Sequence, residues 1–382
     1  MLLCFCIKIM KKIFKHFRKN GLKAVYTMHT IDGFAFSLIG IFIPIYLLNI
    51  GFSVREVILY YVVQNTALLI SSFLAGSLGS RIGVQRVLLM RFPFLFTFLI
   101  LLNLLDSFNI NLYLIAAIDG LQAALYWIPL HIIFAGNTKK EEMGSSIGKL
   151  FALPQLVSMF GPLLGGITAM LFGFKFLFGL SIVILLIAVI PILNTRSIKT
   201  SFRFRFSKGI RLFKKYPKYF FAEIFDNIAE ETEGVIWPIF VYLSLINITS
   251  VGIVGSLLAL SSAVFTFVLG KRADKAGKRK LIKFGALLMI CVWLLRFTIS
   301  NEWAFYVLTI MAGFFMMLFL IPYQSILYKL AKEDRIDEFF VFREVPVYIG
   351  RMLVFAVALF FVTKLEIGFV FAALSYIFFF FI

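Results

Sequence analysis

The sequence predicts an all-α membrane protein with 12 transmembrane helices arranged in two pseudo-symmetric six-helix bundles. Three observations predict this fold class: long apolar runs, a repeat relating the two halves, and basic residues confined to alternate connections. Of 382 residues, 61% are hydrophobic and 15% are charged, and the mean hydropathy is +0.97. Soluble domains carry about 25% charged residues, so this composition is typical of a chain embedded in lipid.

The apolar runs are long enough to cross a bilayer. A helix needs about 20 residues to span the hydrocarbon core, and runs of roughly that length recur along the whole chain. The predicted spans are 24–48, 56–78, 86–105, 112–136, 148–171, 174–193, 219–243, 251–270, 281–300, 303–328, 339–363 and 365–382.

A repeat relates the two halves of the chain. Asp32 and Asp226 are 194 positions apart, and the same separation relates Pro44 to Pro238. Two parallel six-helix halves are typical of secondary transporters, whose substrate site lies between the halves near mid-membrane. We therefore predict a basic cytoplasmic N-terminal segment (1–23), an N-terminal bundle (24–193), a cytoplasmic linker (194–218) and a C-terminal bundle (219–382).

The basic residues are distributed unevenly between the two predicted sides. Thirty-one Lys and Arg residues fall in the terminal segment and connections of one side, and three in those of the other side. Such asymmetry marks the cytoplasmic side, so both termini are predicted to lie in the cytoplasm and the protein in the cell membrane. These cytoplasmic basic residues account for the net charge of +19, so no nucleic-acid partner is expected.

Four carboxyls form a stripe within the predicted seventh span. Glu223, Asp226, Glu230 and Glu233 are spaced by three, four and three residues, which places them on one face of a helix. Each would cost about 2.5–3.5 kcal/mol if it faced lipid at the bilayer centre. We therefore expect the stripe to face a polar central path and to bind protons or substrate. The alternative is a cytoplasmic extension, with the span beginning at Val235.

Two further charged residues are candidates for the same path. Asp32 lies in the predicted first span, where burial would favour protonation and make it a proton carrier; a packing role is the alternative. Arg351 lies about twelve residues into the predicted eleventh span, where it could pair with Asp226 or Glu230. That ion pair would either break when protons or substrate bind, or remain as a static structural contact.

Other polar residues in the spans are expected to have smaller roles. Arg91 and Arg296 lie near span ends, so their side chains are predicted to extend to the interface. Trp127 fits a core or interfacial aromatic as well as a cavity residue. The residues expected to line the cavity are Glu223, Asp119, Gln122, Trp127, Gln64, Tyr323 and Gln324.

Two connections carry a family signature. GSLGSRIGVQRVLL (Gly76–Leu89) and GKRADKAGKRKLI (Gly270–Ile282) resemble the loop motif of the major facilitator superfamily. The resemblance, which extends over the whole chain, implies that superfamily's fold and a cytoplasmic gate in which an Asp pairs with basic groups. Ser80 replaces that Asp in the first copy, and the second copy keeps Asp274. The implied gate residues are Gly76, Arg81, Gly83, Arg86, Gly270, Asp274, Gly277 and Arg279.

A glycine motif in the predicted fifth span resembles a drug-antiporter signature. GPLLGG (Gly161–Gly166), with Gly148 upstream, is similar to the fifth-helix motif of the superfamily's proton-driven drug antiporters. Its middle glycine is replaced by Val157, and the predicted fourth span lacks the Arg that these antiporters usually carry. Close helix packing explains the glycines equally well.

These patterns together predict transport rather than catalysis. The sequence lacks a phosphate-binding loop and H-E-x-x-H, and its three cysteines are too scattered for a metal site, so no enzyme activity, cofactor or metal is expected. We expect a monomeric, proton-coupled transporter that exports cationic or lipophilic small molecules. The alternatives are nutrient uptake by symport and, in another class, a lipid translocase or a membrane-embedded enzyme.

Overall fold

The computed structural model describes residues 21–138, 146, 154–193, 195, 199–269, 277–299 and 301–382. The regular structure in these ranges is helical, and we number the helices in chain order. They are α1 (Gly21–Ile39), α2 (Ile43–Asn49), α3 (Val54–Arg81), α4 (Val84–Leu104), α5 (Leu112–Asn137), α6 (Gly161–Val189), α7 (Phe206–Lys215), α8 (Pro217–Glu231), α9 (Trp237–Leu245), α10 (Ile248–Leu269), α11 (Lys278–Phe297), α12 (Glu302–Glu333), α13 (Ile336–Phe360) and α14 (Ile367–Ile377).

Seven segments of the described chain are long and apolar enough to cross a membrane. The helices at the predicted seventh, ninth and eleventh spans do not meet this condition, and α8 and α13 carry several charged residues within them. The last predicted span forms a shorter apolar helix, Ile367–Phe381. The seven segments are Lys23–Asn49, Val54–Arg81, Val84–Leu104, Leu112–Asn137, Pro154–Val189, Ile248–Thr266 and Glu302–Glu333.

The predicted first and seventh spans are both interrupted at positions related by the repeat. A 3₁₀ turn at Gly40–Phe42 joins α1 to α2, and a π-helical turn at Thr232–Ile236 joins α8 to α9. The 3₁₀ turn begins four residues before Pro44, and the π-helical turn begins six residues before Pro238. Proline cannot donate a hydrogen bond to the carbonyl four residues earlier, which explains why the regular helix is broken at both places.

A glycine separates the predicted fifth and sixth spans. Gly173 lies inside α6 with φ +81°, a left-handed conformation that glycine adopts without a side-chain clash. The turn at this residue falls between the predicted spans 148–171 and 174–193. The single apolar segment Pro154–Val189 therefore contains two helical parts.

The two halves of the chain meet along two helix pairs. In one pair α3 packs against α13, and in the other α6 packs against α10. These helices are the predicted second and eleventh spans and the predicted fifth and eighth spans. The repeat exchanges one pair for the other, since it relates span two to span eight and span five to span eleven. The contacts are therefore consistent with an approximate two-fold relation between the halves.

The GPLLGG motif lies in one of these contacts. A Cβ added to Gly165 would lie 2.1 Å from the carbonyl oxygen of Leu38 in α1, and one added to Gly252 of α10 would lie 2.6 Å from that of Pro162. The backbone N–H of Leu163 donates to Ser256 Oγ of α10 at 2.9 Å. The glycines thus permit close helix packing within and between the halves.

Candidate functional site

A cavity of about 530 Å³ lies between the two halves. The α8–α9 segment contributes most of its acidic surface and runs for about 43 Å, at a rise of 1.5 Å per residue. Glu230 lies about 20 Å from its start, where its exposed side chain lines the cavity. The polar and aromatic wall residues include Trp127, His131, Gln155, Asp226, Asn227, Glu230, Glu233, Trp293, Gln324, Arg343, Glu344, Arg351 and Tyr376.

Glu233 is paired with a buried arginine. Arg296 NH1 lies 2.5 Å from Glu233 Oε2, and its guanidinium lies 3.9 Å from the ring centroid of Trp237 and 4.6 Å from that of Trp293. Arg296 is 0% exposed, so the prediction that it extends to the interface is wrong. The carboxylate and the two aromatic faces provide the stabilisation that water would otherwise supply.

Glu223 is held behind the cavity wall. Its Oε2 accepts a hydrogen bond from Arg343 Nε, and its Oε1 accepts one from the Tyr323 hydroxyl at 2.7 Å. Neither Glu223 nor Tyr323 lies on the wall, where both were expected, because they face the interface of α8 with α12 and α13. Arg343, which the sequence analysis left without a role, lies on the wall.

Arg351 connects the two halves but not through the predicted carboxylates. Its Nε lies 3.0 Å from Glu231 Oε1 and 3.2 Å from Asn227 Oδ1, and its NH1 donates to Asn65 Oδ1 of α3 at 2.8 Å. Pairing with Asp226 or Glu230 was predicted. Asn227 and Glu231 are four residues apart and share a helix face, which is turned toward α13. The four-residue spacing could have indicated that Glu231 shares this face, but Glu231 was not among the predicted site residues.

Three carboxyls on the cavity wall are uncompensated. Across the described ranges, Asp226, Glu230 and Glu344 have neither a hydrogen-bond nor an ion-pair partner, although all three line the cavity. Asp226 and Glu344 are each only 6% exposed, whereas the Glu230 side chain is exposed to the cavity. The cavity wall thus carries four carboxyls, those of Asp226, Glu230, Glu233 and Glu344, and two guanidiniums, those of Arg343 and Arg351. An unpaired buried carboxylate is unfavourable, so bound protons or a cationic ligand would stabilise this site.

The repeat explains why Asp226 lacks a counter-ion. Its first-half equivalent, Asp32, accepts hydrogen bonds from Arg91 at 2.6 and 3.3 Å. The position 194 residues after Arg91 is Gly285, where an added Cβ would lie 2.8 Å from the backbone nitrogen of Phe319. α11 and α12 thus pack so closely at Gly285 that the second half has no room for a side chain equivalent to Arg91.

Asp32 and Arg91 belong to a buried network in the first half. Arg91 Nε donates to Gln122 Oε1 at 2.9 Å, and Gln122 Nε2 donates to Asp119 Oδ1 at 2.8 Å. The hydroxyl of Tyr60 donates to Asp119 Oδ2 at 2.8 Å. Arg91 is 2% exposed, so the prediction that it extends to the interface is also wrong. Asp32, Asp119 and Gln122, expected at the cavity, lie behind its wall because they bond to one another and to Arg91.

The remaining predicted cavity residues divide into two groups. Trp127 and Gln324 lie on the wall, as expected. Gln64 does not, because its segment of α3 packs closely against α5. A Cβ added to Gly120 of α5 would lie only 2.1 Å from the Gln64 carbonyl oxygen.

Several predicted gate residues have structural roles. A Cβ added to Gly76 would lie 2.8 Å from Val341 of α13 and 3.1 Å from Phe202 of the linker. Gly83 precedes α4 with φ +96°, and Gly277 precedes α11 with φ −56°. Arg81, Arg86 and Arg279 are exposed, and Gly270 and Asp274 lie outside the described residues.

The linker joins α3 to the beginning of α13. The Thr200 N–H donates to the Gly79 carbonyl of α3 at 3.3 Å, and the Ser201 N–H donates to Asp337 Oδ2 of α13 at 3.2 Å. Glu338, which is 0% exposed, pairs with Lys208 at 2.5 Å and with Arg335 at 3.0 Å. The linker therefore makes polar contacts with both α3 and α13 at this end.

One ion pair fixes the end of the linker helix. Lys215 Nζ lies 2.8 Å from Asp334 Oδ2, between α7 and the residue after α12. Partial burial acts to raise the pKa of Asp334, but the Lys215 ammonium and the Arg335 N–H outweigh it and hold that pKa below its ordinary value. The carboxyl is thus charged at neutral pH, where the pair forms.

Comparison with known proteins identifies the family. The chain matches the Major Facilitator Superfamily over residues 25–225 and 219–382, and it therefore belongs to that superfamily of membrane transporters. It is 24% identical over 370 residues to the multi-drug resistance efflux pump PmrA of Streptococcus pneumoniae, in strains TIGR4 and R6. The alignment covers 88% of this chain and 87% of the pump.

A solved structure supports the same fold. The crystal structure of the human organic anion transporter MFSD10 (TETRAN) superposes with a TM-score of 0.65, covering 94% of this chain and 97% of that one. The sequence identity is 14%, so this likeness concerns the fold alone. The chain is accordingly a multi-pass membrane transporter and not an enzyme.

Proposed function

We propose that this protein is a proton-coupled antiporter that exports cationic, lipophilic small molecules from the cell. In this proposal 12 membrane-spanning helices form two six-helix bundles, both termini are cytoplasmic, and the bundles rock about the central cavity as a monomer. The observation that carries the proposal is the set of cavity carboxyls without a cationic partner: Asp226, Glu230 and Glu344.

These carboxyls supply a simple basis for exchange. A proton on each carboxyl, or a cation beside it, neutralises the same unpaired negative charge, so the two compete for the site. Entry of a cationic substrate displaces protons in one orientation of the bundles. Protons displace the substrate in the other orientation. This competition couples outward movement of substrate to inward movement of protons.

The rest of the wall suits a lipophilic cation. Trp127, Trp293 and Tyr376 present aromatic rings, and Met316 and Met317 present flexible, polarizable side chains. Aromatic faces attract cations, and methionine adapts to ligands of different shape. The name of the pneumococcal relatives, a multi-drug efflux pump, points in the same direction.

An organic anion is the less favoured substrate. The structural neighbour is named an organic anion transporter, and two guanidiniums, those of Arg343 and Arg351, lie on the cavity wall. Both guanidiniums are already paired, with Glu223 and Glu231 respectively. An anion would have to displace these carboxylates and would add to a site that already has an excess of acidic groups.

We further propose that Arg351 and the linker stabilise one closed state. Arg351 joins α8 to α3 of the other half through Glu231 and Asn65, so the contact must open when the halves separate. At the cytoplasmic end, the linker contacts with Asp337 and Glu338 would take the role of the Asp that Ser80 replaces.

Transport in proteoliposomes tests the proposal. We expect an imposed proton gradient to drive accumulation of tetraphenylphosphonium, and addition of the cation to move protons in the opposite direction. Glu333→Gln is a control that should change neither response, because Glu333 is exposed at the end of α12 and is not on the cavity wall. Accumulation of a sugar or amino acid with proton influx would favour symport, and headgroup-dependent movement of labelled lipid would favour a translocase. Either result in place of cation exchange would overturn the proposal.

A further inference from the structure

The linker helix α7 has one face that is docked on the protein. Leu212 is 0% exposed, and a Cβ added to Gly209 would lie 2.7 Å from the ring of Phe342 in α13. The Lys208–Glu338 and Lys215–Asp334 ion pairs hold the same side of the helix. The orientation of α7 is therefore determined by the helices on which it packs.

A second face of α7 is apolar and exposed. Phe206, Ile210 and Phe213 are 73%, 42% and 38% exposed, and their spacing of four and three residues places them in one stripe. The ring of Phe213 lies 5.3 Å from that of Phe221, which is 44% exposed on α8. The stripe is thus continuous with the outer surface of α8, which belongs to the predicted seventh span.

Exposed cations surround this stripe. The segment 199–218 contains eight Lys and Arg residues and no Asp or Glu. Arg203, Arg205, Lys214 and Lys218 are exposed, and none of them forms an ion pair with another described residue. An apolar stripe beside unpaired basic residues is the pattern of a helix that lies in the membrane interface.

We propose that α7 binds anionic phospholipids of the cytoplasmic leaflet. Phe206, Ile210 and Phe213 insert at the boundary of the acyl chains, and the four unpaired cations contact the headgroup phosphates. The continuity of the stripe with Phe221 favours a bilayer over a protein or nucleic-acid partner, because a bilayer covers both surfaces at once. The assignment of the leaflet rests on the membrane orientation in the proposed function.

Quenching by brominated lipids tests this site without any transport measurement. In a variant with Cys4, Cys6 and Cys291 replaced by Ser, Phe206→Cys is labelled with a small apolar fluorophore and reconstituted. We expect phosphatidylglycerol with brominated acyl chains to quench the label strongly. Brominated phosphatidylcholine should quench it less, since it brings no net negative charge to the headgroup.

Charge variants separate the two contributions. Replacing the four cations with Gln (R203Q, R205Q, K214Q, K218Q) should bring phosphatidylglycerol quenching down to the phosphatidylcholine level. Quenching by phosphatidylcholine, which depends on the apolar stripe, should persist and shows that the variant is folded. R86Q with R279Q is the control, since both are exposed basic residues on the same side outside the linker, and should change nothing.

Two outcomes would overturn the proposal. One is equal quenching by the two lipids in the unmodified linker. The other is quenching by aqueous iodide with no quenching by either brominated lipid. Because the label reports on lipid contact in the absence of substrate, failure of the antiport proposal would leave this measurement unchanged. Absence of lipid quenching would in turn leave the antiport proposal standing.

Discussion

Neighbouring side chains on α8 have different electrostatic surroundings. Glu231 faces Arg351 and does not line the cavity, whereas Glu230, one position earlier, lines it together with Asp226. One residue rotates a helix by about 100°, which separates the two faces. Glu231 therefore contributes to the contact between the halves through Arg351, and Asp226 and Glu230 are the residues proposed to exchange protons for substrate.

The adjacent residues Glu230 and Glu231 provide a matched pair for a first prediction. Glu230→Gln should abolish accumulation driven by a proton gradient and leave cation binding measurable, because it removes an exchangeable charge only. Glu231→Gln should leave proton coupling in place but lower the melting temperature, because Arg351 loses its carboxylate. Uphill uptake and thermal unfolding in detergent measure the two effects. Unchanged uphill transport by the Glu230 variant would remove it from the coupling role.

A second prediction concerns the pair formed by Arg296 and Glu233. Arg296→Met should destabilise the protein by about 3–5 kcal/mol, because it leaves a buried carboxylate without its partner. The double variant with Glu233→Gln should recover most of that loss, since it removes the stranded charge as well. Chemical or thermal unfolding of all four proteins gives the coupling energy. Strictly additive losses would show that the ion pair does not stabilise the fold.

At the scale of helices, two interruptions are built into equivalent spans. Gly40 and Gly234 are 194 residues apart, as are Pro44 and Pro238, so both halves carry a Gly-x-x-x-Pro sequence at the break. The break in the second half separates the uncompensated carboxyls of α8 from Trp237 in α9. Motion of the halves is expected to bend these spans at the breaks.

Replacement of the second proline tests this expectation. Pro238→Ala restores an N–H that can bond to the Gly234 carbonyl, so the helix should straighten and become at least as stable. Transport should slow severalfold while substrate affinity changes little. Pro217→Ala is the control, because Pro217 is the first residue of α8, where a missing N–H has no consequence. Equal transport rates for the two variants would contradict a hinge at Thr232–Ile236.

The linker contacts lead to a prediction for the cytoplasmic end. Glu338→Gln weakens the attachment of Lys208 and Arg335, so the linker should separate more often from α13. A cysteine at Thr200, next to Gly79 of α3, should then react faster with a water-soluble thiol reagent. Glu333→Gln should leave the reaction rate unchanged. If Glu338→Gln also leaves it unchanged, the linker does not act as a latch.

For the whole molecule, the sequence predicted the superfamily correctly, but it predicted few of the ion pairs. The repeat relates Asp32 to Asp226, yet the first is paired and the second is not, because Arg91 corresponds to Gly285. A repeat determines where a backbone position lies. It does not determine which long side chain reaches that position from another helix.

The two buried arginines illustrate why the ion pairs could not be predicted from the sequence. Arg91 and Arg296 lie near predicted span ends, where extension to the interface is the usual outcome. Their partners, Asp32 and Glu233, are 59 and 63 residues away in the chain. Each arginine reaches its carboxylate from another helix, Arg91 of α4 to Asp32 of α1 and Arg296 of α11 to Glu233 between α8 and α9.

The most direct test of the central claim is proton release on substrate binding. Purified protein in weakly buffered detergent at neutral pH is mixed with tetraphenylphosphonium, and released protons are followed with a pH indicator. We predict release in the unmodified protein and its loss when Asp226, Glu230 and Glu344 are replaced by Asn, Gln and Gln. Cation binding that releases no protons from the unmodified protein would contradict exchange at these carboxyls.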